Sequence, residues 1–316
     1  MTPGQSERIE LVGKYSAALS VIEVALGSVL HSVHLPLVGN FLSLNQGFLL
    51  CRGSIEAKSR GLKPVGYSIS NVAAVLKSLA PAGKKLGPML SLSAQGLLFA
   101  LGEGALGANL AGWMLGMALL SLWTFVQPIV TYYLFFGSDL FSALHYLFDR
   151  TLPYHGISLG DLAWLLAAVV VLKMAAGAGL AWVAWRTQGR AGFQEKLLRL
   201  AAEQGARPID GVALSRRAAL WLSFRDLFRP LFLLSLAATA CFLFFSEHSA
   251  AQRFWILLRP VAIGFIFFYF SRTLTLDRWL ARLQGTRAEG FALACQSALA
   301  ELRRFGRSPG TGHGSS

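Results

Sequence analysis

The sequence predicts an all-α protein, a polytopic bundle of helices in a membrane, and three observations lead to that prediction. Of its 316 residues, 54% are hydrophobic and 14% are charged, which is about half the charged fraction of a soluble domain. Long apolar blocks occupy 162–185, 231–245 and 256–270, and a helix needs about 20 apolar residues to cross a bilayer. The backbone in a bilayer must form its own hydrogen bonds, which helices and closed β-barrels do. Because glycine-rich apolar runs are not typical of barrel strands, we expect helices.

The apolar stretches divide into eight predicted spans, which basic residues orient. The spans are 14–34, 37–51, 67–80, 88–102, 106–136, 158–185, 231–246 and 254–271. Most of the net charge of +13 lies in three short segments beside them, 52–66, 186–229 and 272–307, which carry +3, +5 and +4. The positive-inside rule puts such segments in the cytoplasm. We therefore expect a bacterial inner-membrane protein with a cytoplasmic N-terminus. The excess of lysine and arginine residues is expected to face the bilayer surface and not nucleic acid.

Two polar stretches with helical spacing follow the sixth span. Apolar residues recur every three or four positions in 187–229 and again in 275–305, a pattern typical of amphipathic helices that lie along a surface or a partner. The glycine- and serine-rich tail 306–316 is predicted to be disordered. The sequence thus divides into a six-span domain (1–186), a region of two spans with amphipathic cytoplasmic helices (187–305), and the tail.

Polar side chains gather in loops on the predicted outer side. Short segments interrupted by glycine and proline and carrying polar side chains indicate a small-molecule site in a transporter. The candidates in the first two outer loops are His34, Asn40, Ser43, Asn45 and Gln46, followed by Lys77, Lys84 and Lys85. Two interpretations of the lysines stay open: loop tips tolerate them, or they attract a carboxylate or phosphate. The outer stretch 137–157 is a third candidate segment.

Spans four and five carry further candidates for a binding pocket. These are Gln95, Asn109, Trp113, Trp123 and Gln127. The tryptophans have an alternative role, because aromatic residues in membrane bundles more often pack or anchor helices at the interface.

Two ionisable residues lie inside predicted spans. Glu23 is nine residues into span one, and Lys173 is twelve residues from the inner end of span six, so their depths differ by about 5 Å. Because an unpaired charge in a bilayer is costly, the sequence predicts a Glu23–Lys173 ion pair, with separate contacts to water as the alternative.

Motifs of catalysis are missing from the sequence. There is no HExxH or DDxxD motif, and no GxxxxGK[ST] loop for ATP. The three cysteines are far apart and form no CxxC or Cys/His cluster, so neither a disulfide framework nor a zinc site is predicted. We expect no enzyme activity, metal or cofactor, and the alternative is a lipid-handling enzyme or an assembly scaffold.

Residues 10–186 resemble the substrate-binding S component of energy-coupling factor (ECF) vitamin transporters. The similarity lies in the polar first outer loop that ends Ser43-Leu-Asn45-Gln46-Gly47, in the turn 77–88 with Met89, in the Gln95-Gly96 step and in the small residues of span one. The resemblance implies a solute bound near the outer side, beneath the loops between the spans. It also implies a docking face on span one, at Gly13 and Ala17.

The C-terminal region resembles part of the T component of the same family, the scaffold that couples the S component to cytosolic ATPases. The stretch 268–280 is similar to the end of a T-component span, with its threonine-rich turn before an amphipathic helix. The resemblance implies coupling helices that carry Arg190, Arg216, Arg217, Arg272 and Arg278. The expected function is therefore uptake of a small, vitamin-like solute, anionic if the outer lysines attract it. Separate ABC-type ATPase subunits would drive the uptake, and a T-component scaffold would couple them to the S component.

Overall fold

The computed structural model describes residues 2–32, 38–77, 86–137, 158–188, 216–228, 230–244, 249–273, 276–283, 285–286 and 288–306. Within these ranges the chain is helical and contains no strand, which confirms the all-α prediction. The outer stretch 138–157, most of the basic segment 186–229 and the tail from 307 onward lie outside the described residues.

Eleven helices follow one another in the described part of the chain. The first six are α1 (Pro3–Ser32), α2 (Val38–Ser59), α3 (Gly66–Lys77), α4 (Leu86–Leu106), α5 (Leu110–Phe136) and α6 (Leu159–Arg186). The other five are α7 (Arg216–Asp226), α8 (Pro230–Phe244), α9 (Ala250–Thr273), α10 (Leu276–Leu283) and α11 (Glu289–Gly306).

Several helix ends are set by residues that the local sequence supplies. Asn109 caps α5, since its Oδ1 accepts the backbone N–H of Gly112 at 3.1 Å. Ser158 and Asp161 form a reciprocal capping box at the start of α6. The end of α2 turns at Gly61, whose φ of +70° is in the left-handed region that glycine adopts without strain.

Three of the described helices are long and apolar enough to cross a membrane. They are α4 over Gly87–Leu106, α5 over Leu110–Thr131 and α6 over Gly160–Arg186. Helix α3 has 12 residues and a length of about 18 Å, which is short for a bilayer. The membrane character of the chain agrees with the sequence, and the count of eight spans stays a prediction.

The first half of α6 exposes an almost continuous apolar surface. Trp164 is 79% exposed, Leu172 71% and Leu165 63%. So much contiguous apolar surface is unusual on a soluble protein and is normal where side chains contact lipid.

The described helices fall into two compact units. The first comprises the described parts of Met1–Thr124, Leu172–Gly211 and Thr275–Ser316, and the second those of Phe125–Val171 and Val212–Leu274. In the first unit α1 packs against α2, α3 and α11, and α3 packs against α4. In the second unit α9 packs against α7 and α8. The predicted division at residue 186 stays a prediction, and the packing crosses it.

The partner of the amphipathic C-terminal segment is the first helix of the same chain. Ala292, Cys295 and Ala298 of α11 are buried in one core with Leu11 and Tyr15 of α1, and Leu280 of α10 joins them. The apolar periodicity of 275–305 predicted a helix in need of a partner, and α1 and α3 supply that partner.

Helices α4 and α5 approach each other closely through glycines. A Cβ atom added at Gly102 would lie 2.2 Å from the backbone nitrogen of Gly116, and one added at Gly116 would lie 2.6 Å from the carbonyl oxygen of Phe99. Such contacts are typical of membrane helices, where small residues let backbones pack directly against each other.

Candidate functional site

A buried glutamine connects three helices of the first unit. Gln46 of α2 is 1% exposed, and its Nε2 donates to Ser70 Oγ at 2.7 Å and to the Leu92 carbonyl at 3.1 Å. Ser70 of α3 also donates to the Leu92 carbonyl, at 2.5 Å. Because a buried amide is costly without hydrogen bonds, these bonds hold α2, α3 and α4 in one arrangement.

A buried lysine lies near the midpoint of α6. Lys173 is 9% exposed and lies about 21 Å from the start of its helix. Its ammonium donates to Asn40 Oδ1 of α2 and to Thr124 Oγ1 of α5. Thr124 Oγ1 and Asn40 Oδ1 are 3.1 Å apart. The ammonium thereby contacts neutral oxygens of two other helices.

Three polar side-chain atoms of α2, α4 and α5 are buried without a hydrogen-bond partner in the described part of the chain. They are Asn45 Nδ2, Gln95 Oε1 and Trp123 Nε1. The Nε2 of Gln95 donates to Ser91 Oγ at 3.0 Å, so only one end of that amide is satisfied by protein. Buried polar groups almost always find partners, and hydrogen-bonding groups of a ligand are one source of them.

Several of the predicted residues lie along one helix. Asn40, Ser43, Asn45 and Gln46 all belong to α2, and we call them the α2 polar row. Ser43 is buried and donates to the carbonyl of Asn40 at 2.8 Å. Over its length the row meets α3 and α4 at Gln46 and α5 and α6 at Asn40.

The predicted ion pair between Glu23 and Lys173 is wrong. Glu23 Oε2 instead pairs with Lys77 Nζ of α3 at 3.0 Å, while Lys173 contacts Asn40 and Thr124. Equal depth in the membrane does not determine which neighbour a helix face meets. Helix α3 is one of the helices that pack against α1, and it carries Lys77. Lys77, a predicted ligand-attracting lysine, is therefore already paired with a carboxylate.

Three further candidates lie on α5 or at its N-terminal cap. Asn109 is exposed and caps α5. Trp113 is buried and donates its indole N–H to Glu103 Oε1 at 3.0 Å. Gln127 is half-buried on the part of α5 that belongs to the second unit.

The predicted docking face on α1 is covered by the chain itself. Ala17 is fully buried, and a Cβ atom added at Gly13 would lie 2.3 Å from Ser297 Oγ of α11. Of the predicted coupling arginines, Arg217 is exposed on α7. Arg216, Arg272 and Arg278 lie on α7, α9 and α10, and His34, Lys84, Lys85 and Arg190 lie outside the described residues.

Sequence reasoning missed several residues of these networks. Ser70 and Thr124 carry short hydroxyl groups that are common in membrane helices, and no spacing signal marks them. Glu103 could have been selected from the sequence, since it is an acidic residue near the end of an otherwise apolar span. An ionisable residue in such a position is a candidate functional residue.

An ion-pair network lies at the end of α2, on the predicted cytoplasmic side. Glu56 accepts a hydrogen bond from Tyr15 Oη at 2.7 Å and pairs with Lys14 Nζ at 3.4 Å and with Arg60. Burial acts to raise the pKa of Glu56, but the Tyr15 hydrogen bond and the charges of Lys14 and Arg60 lower that pKa below its usual range.

We expect Glu56→Gln to destabilise the protein by about 1 kcal/mol at neutral pH and to reduce its acid sensitivity. Because the pKa is lowered on folding, this stabilisation is present above the unfolded-state pKa of Glu56 and is lost as pH falls through the folded-state pKa. Thermal unfolding at a series of pH values checks this. Exposed Glu10→Gln is the control, and equal behaviour of the two variants would contradict the prediction.

The comparisons with known proteins identify no relative. Neither a protein-family model, nor a curated protein, nor a solved structure matches this chain. Functional conclusions therefore depend on the residues themselves.

Proposed function

We propose that this chain is the membrane-embedded, solute-binding subunit of an ECF-type uptake transporter. It binds a small anionic solute of vitamin size among α2, α4, α5 and α6, and separate ATPase subunits drive the transport. The alternative is a membrane protein without a transport role.

The observation that carries the proposal is the ammonium of Lys173 in the middle of an apolar helix. Ionisable groups inside membrane bundles are expensive and mark substrate or ion pathways. Lys173 is held by oxygens of Asn40 and Thr124, two neutral groups whose place a carboxylate or phosphate of a solute can take. A solute anion at this position gains a charge-assisted hydrogen bond.

The unsatisfied amide and indole groups support the same proposal. Asn45 Nδ2 and Trp123 Nε1 are donors, and Gln95 Oε1 is an acceptor. A solute with both kinds of polar group can satisfy them, and apolar helices around them exclude water. Small-molecule sites typically have a small number of precisely placed polar groups in apolar surroundings.

Coupling to an ATPase is the second part of the proposal. The sequence has no GxxxxGK[ST] loop for ATP, and in this proposal separate ATPase subunits supply the energy. Helix α11, docked on Gly13 of α1, is then the element through which the substrate-binding unit is moved.

The experiment is ligand binding by the purified full chain, measured as a thermal shift with a panel of carboxylate-bearing vitamins. For a ligand that stabilises the wild type, we expect Lys173→Met to lose about tenfold or more in affinity. Lys173→Arg is expected to retain part of the binding. Lys63→Met, which removes an exposed lysine, is the matched control.

Two outcomes would contradict the proposal. Unchanged binding by Lys173→Met would remove the anion site. An intact complex purified from membranes without any nucleotide-binding subunit would favour the alternative, a non-transport role.

A further inference from the structure

A second buried polar cluster lies where α2, α3, α4 and α5 meet, away from the α2 polar row. We call it the Glu103 cluster, and it consists of Cys51, Ser54, Gly66, Glu103 and Trp113. Glu103 is 4% exposed and Ser54 is 2% exposed. The proposed transport function uses none of these residues.

The two carboxyl oxygens of Glu103 differ in their surroundings. Oε1 accepts the indole N–H of Trp113 at 3.0 Å. Oε2 is buried and has no hydrogen-bond partner among the described residues, and the same holds for Ser54 Oγ. The Ser54 hydroxyl is near enough to this carboxyl group for a weak hydrogen bond, but the two groups do not reach the geometry of a full one.

Gly66 keeps the space beside Oε2 open. A Cβ atom added at Gly66 would lie 2.7 Å from the ring of Phe99 and 3.4 Å from Glu103 Oε2. The side chain of Phe99 and the Cα of Gly66 therefore lie on the same side of the cluster as Oε2.

The charged and titratable neighbours are few among the described residues. The thiol of Cys51 on α2 interacts electrostatically with Glu103. Lys58 is exposed, and its Nζ lies over the indole ring of Trp113, 5.8 Å from the ring centroid. A buried carboxylate with one donor and no contacting cation is costly, whereas a carboxylic acid has an O–H group to donate.

We propose that Glu103 is a proton-binding site. In the bound state Oε2 carries the proton, its O–H turns toward Ser54 Oγ, and Oε1 remains the carbonyl oxygen that accepts from Trp113. Both buried atoms that have no partner are then satisfied by one hydrogen bond. Release of the proton leaves the carboxylate, which requires water to reach this end of α2, α4 and α5.

The chemistry of the cluster favours a proton over a metal ion. A cation such as Ca²⁺ takes about six to eight oxygen ligands, and the described residues bring Glu103 Oε2 and Ser54 Oγ to this point. The Trp113 N–H already donates to the same carboxyl group. The positive end of this N–H dipole would repel a cation bound there.

Infrared spectroscopy of the full chain tests the proposal. At neutral pH we expect a carbonyl stretch of a protonated carboxylic acid that is absent from Glu103→Gln and present in Glu56→Gln. Trp113→Phe removes the hydrogen bond to the carbonyl oxygen, so the band should move to higher wavenumber. Ser54→Ala should also move it, because the acid loses its acceptor.

Three results would overturn the proposal. One is a spectrum that Glu103→Gln leaves unchanged, and another is a band that Ser54→Ala and Trp113→Phe do not move. The third is a band that appears only after Na⁺ is removed, which would make Glu103 a metal-cation site. If Glu103→Gln does not fold, Glu103→Asp replaces it, and the same band must then shift.

Discussion

Gly102→Ala is expected to destabilise the protein by about 3 kcal/mol, toward the upper end of overpacking costs. The added Cβ would lie 2.2 Å from the nitrogen and 2.4 Å from the Cα of Gly116. These are backbone atoms that no rotamer change can move, so α4 and α5 must separate along their contact. The loss exceeds the gain of about 1 kcal/mol that alanine brings to a helix over glycine.

Gly104→Ala is the matched control for this prediction. Gly104 is on the same helix, two residues away, and a Cβ added there meets no atom within 4 Å. The control keeps the helix-propensity gain and lacks the clash, so it should be as stable as the wild type or more so. Thermal unfolding of the purified protein measures the difference. Equal stability of the two variants would show that α4 and α5 do not make this contact.

Gly13→Leu is expected to release α11 from α1. A Cβ at Gly13 would lie 2.3 Å from Ser297 Oγ and 3.1 Å from the backbone nitrogen of Ala298, and leucine adds three more carbon atoms. If the overpacking costs about 2 kcal/mol, the open state becomes roughly 30-fold more populated.

The reactivity of Cys295 reports this opening. Cys295 is buried on α11, and burial raises the pKa of its thiol to about 12, so it reacts slowly while α11 is docked. In a background of Cys51→Ala and Cys241→Ala, Gly13→Leu should accelerate maleimide labelling of Cys295 by roughly 30-fold. Gly4→Leu on the same helix, where an added Cβ meets nothing within 4 Å, should not change the rate.

A compensating substitution separates a local clash from a general loss of stability. Ser297→Gly removes the two closest atoms that a Cβ at position 13 would meet. Gly13→Ala combined with Ser297→Gly should therefore label more slowly than Gly13→Ala alone. Labelling of Gly13→Leu at the wild-type rate would mean that α11 does not pack on α1.

Much of the α2 polar row could be predicted from the sequence, because amides inside an apolar run contradict the surrounding pattern. Gln46 and Asn40 are such residues, and both are at the centre of networks. Ser70 and Thr124 could not be predicted, because a hydroxyl group in a membrane helix costs little free energy and is common there. Their hydrogen-bond partners lie on neighbouring helices, which the sequence does not identify.

The sequence by itself determined that the described chain is helical, that it has membrane character, and that residues 275–305 need an apolar partner. These properties follow from the spacing of apolar residues along one helix, which is a local property. Only the tertiary structure decided that α1 is that partner, that Glu23 pairs with Lys77, and that Lys173 meets Asn40 and Thr124. Partners are decided by the rotation and neighbours of each helix, and in this chain they bring together residues as far apart in the sequence as Gly13 and Ser297.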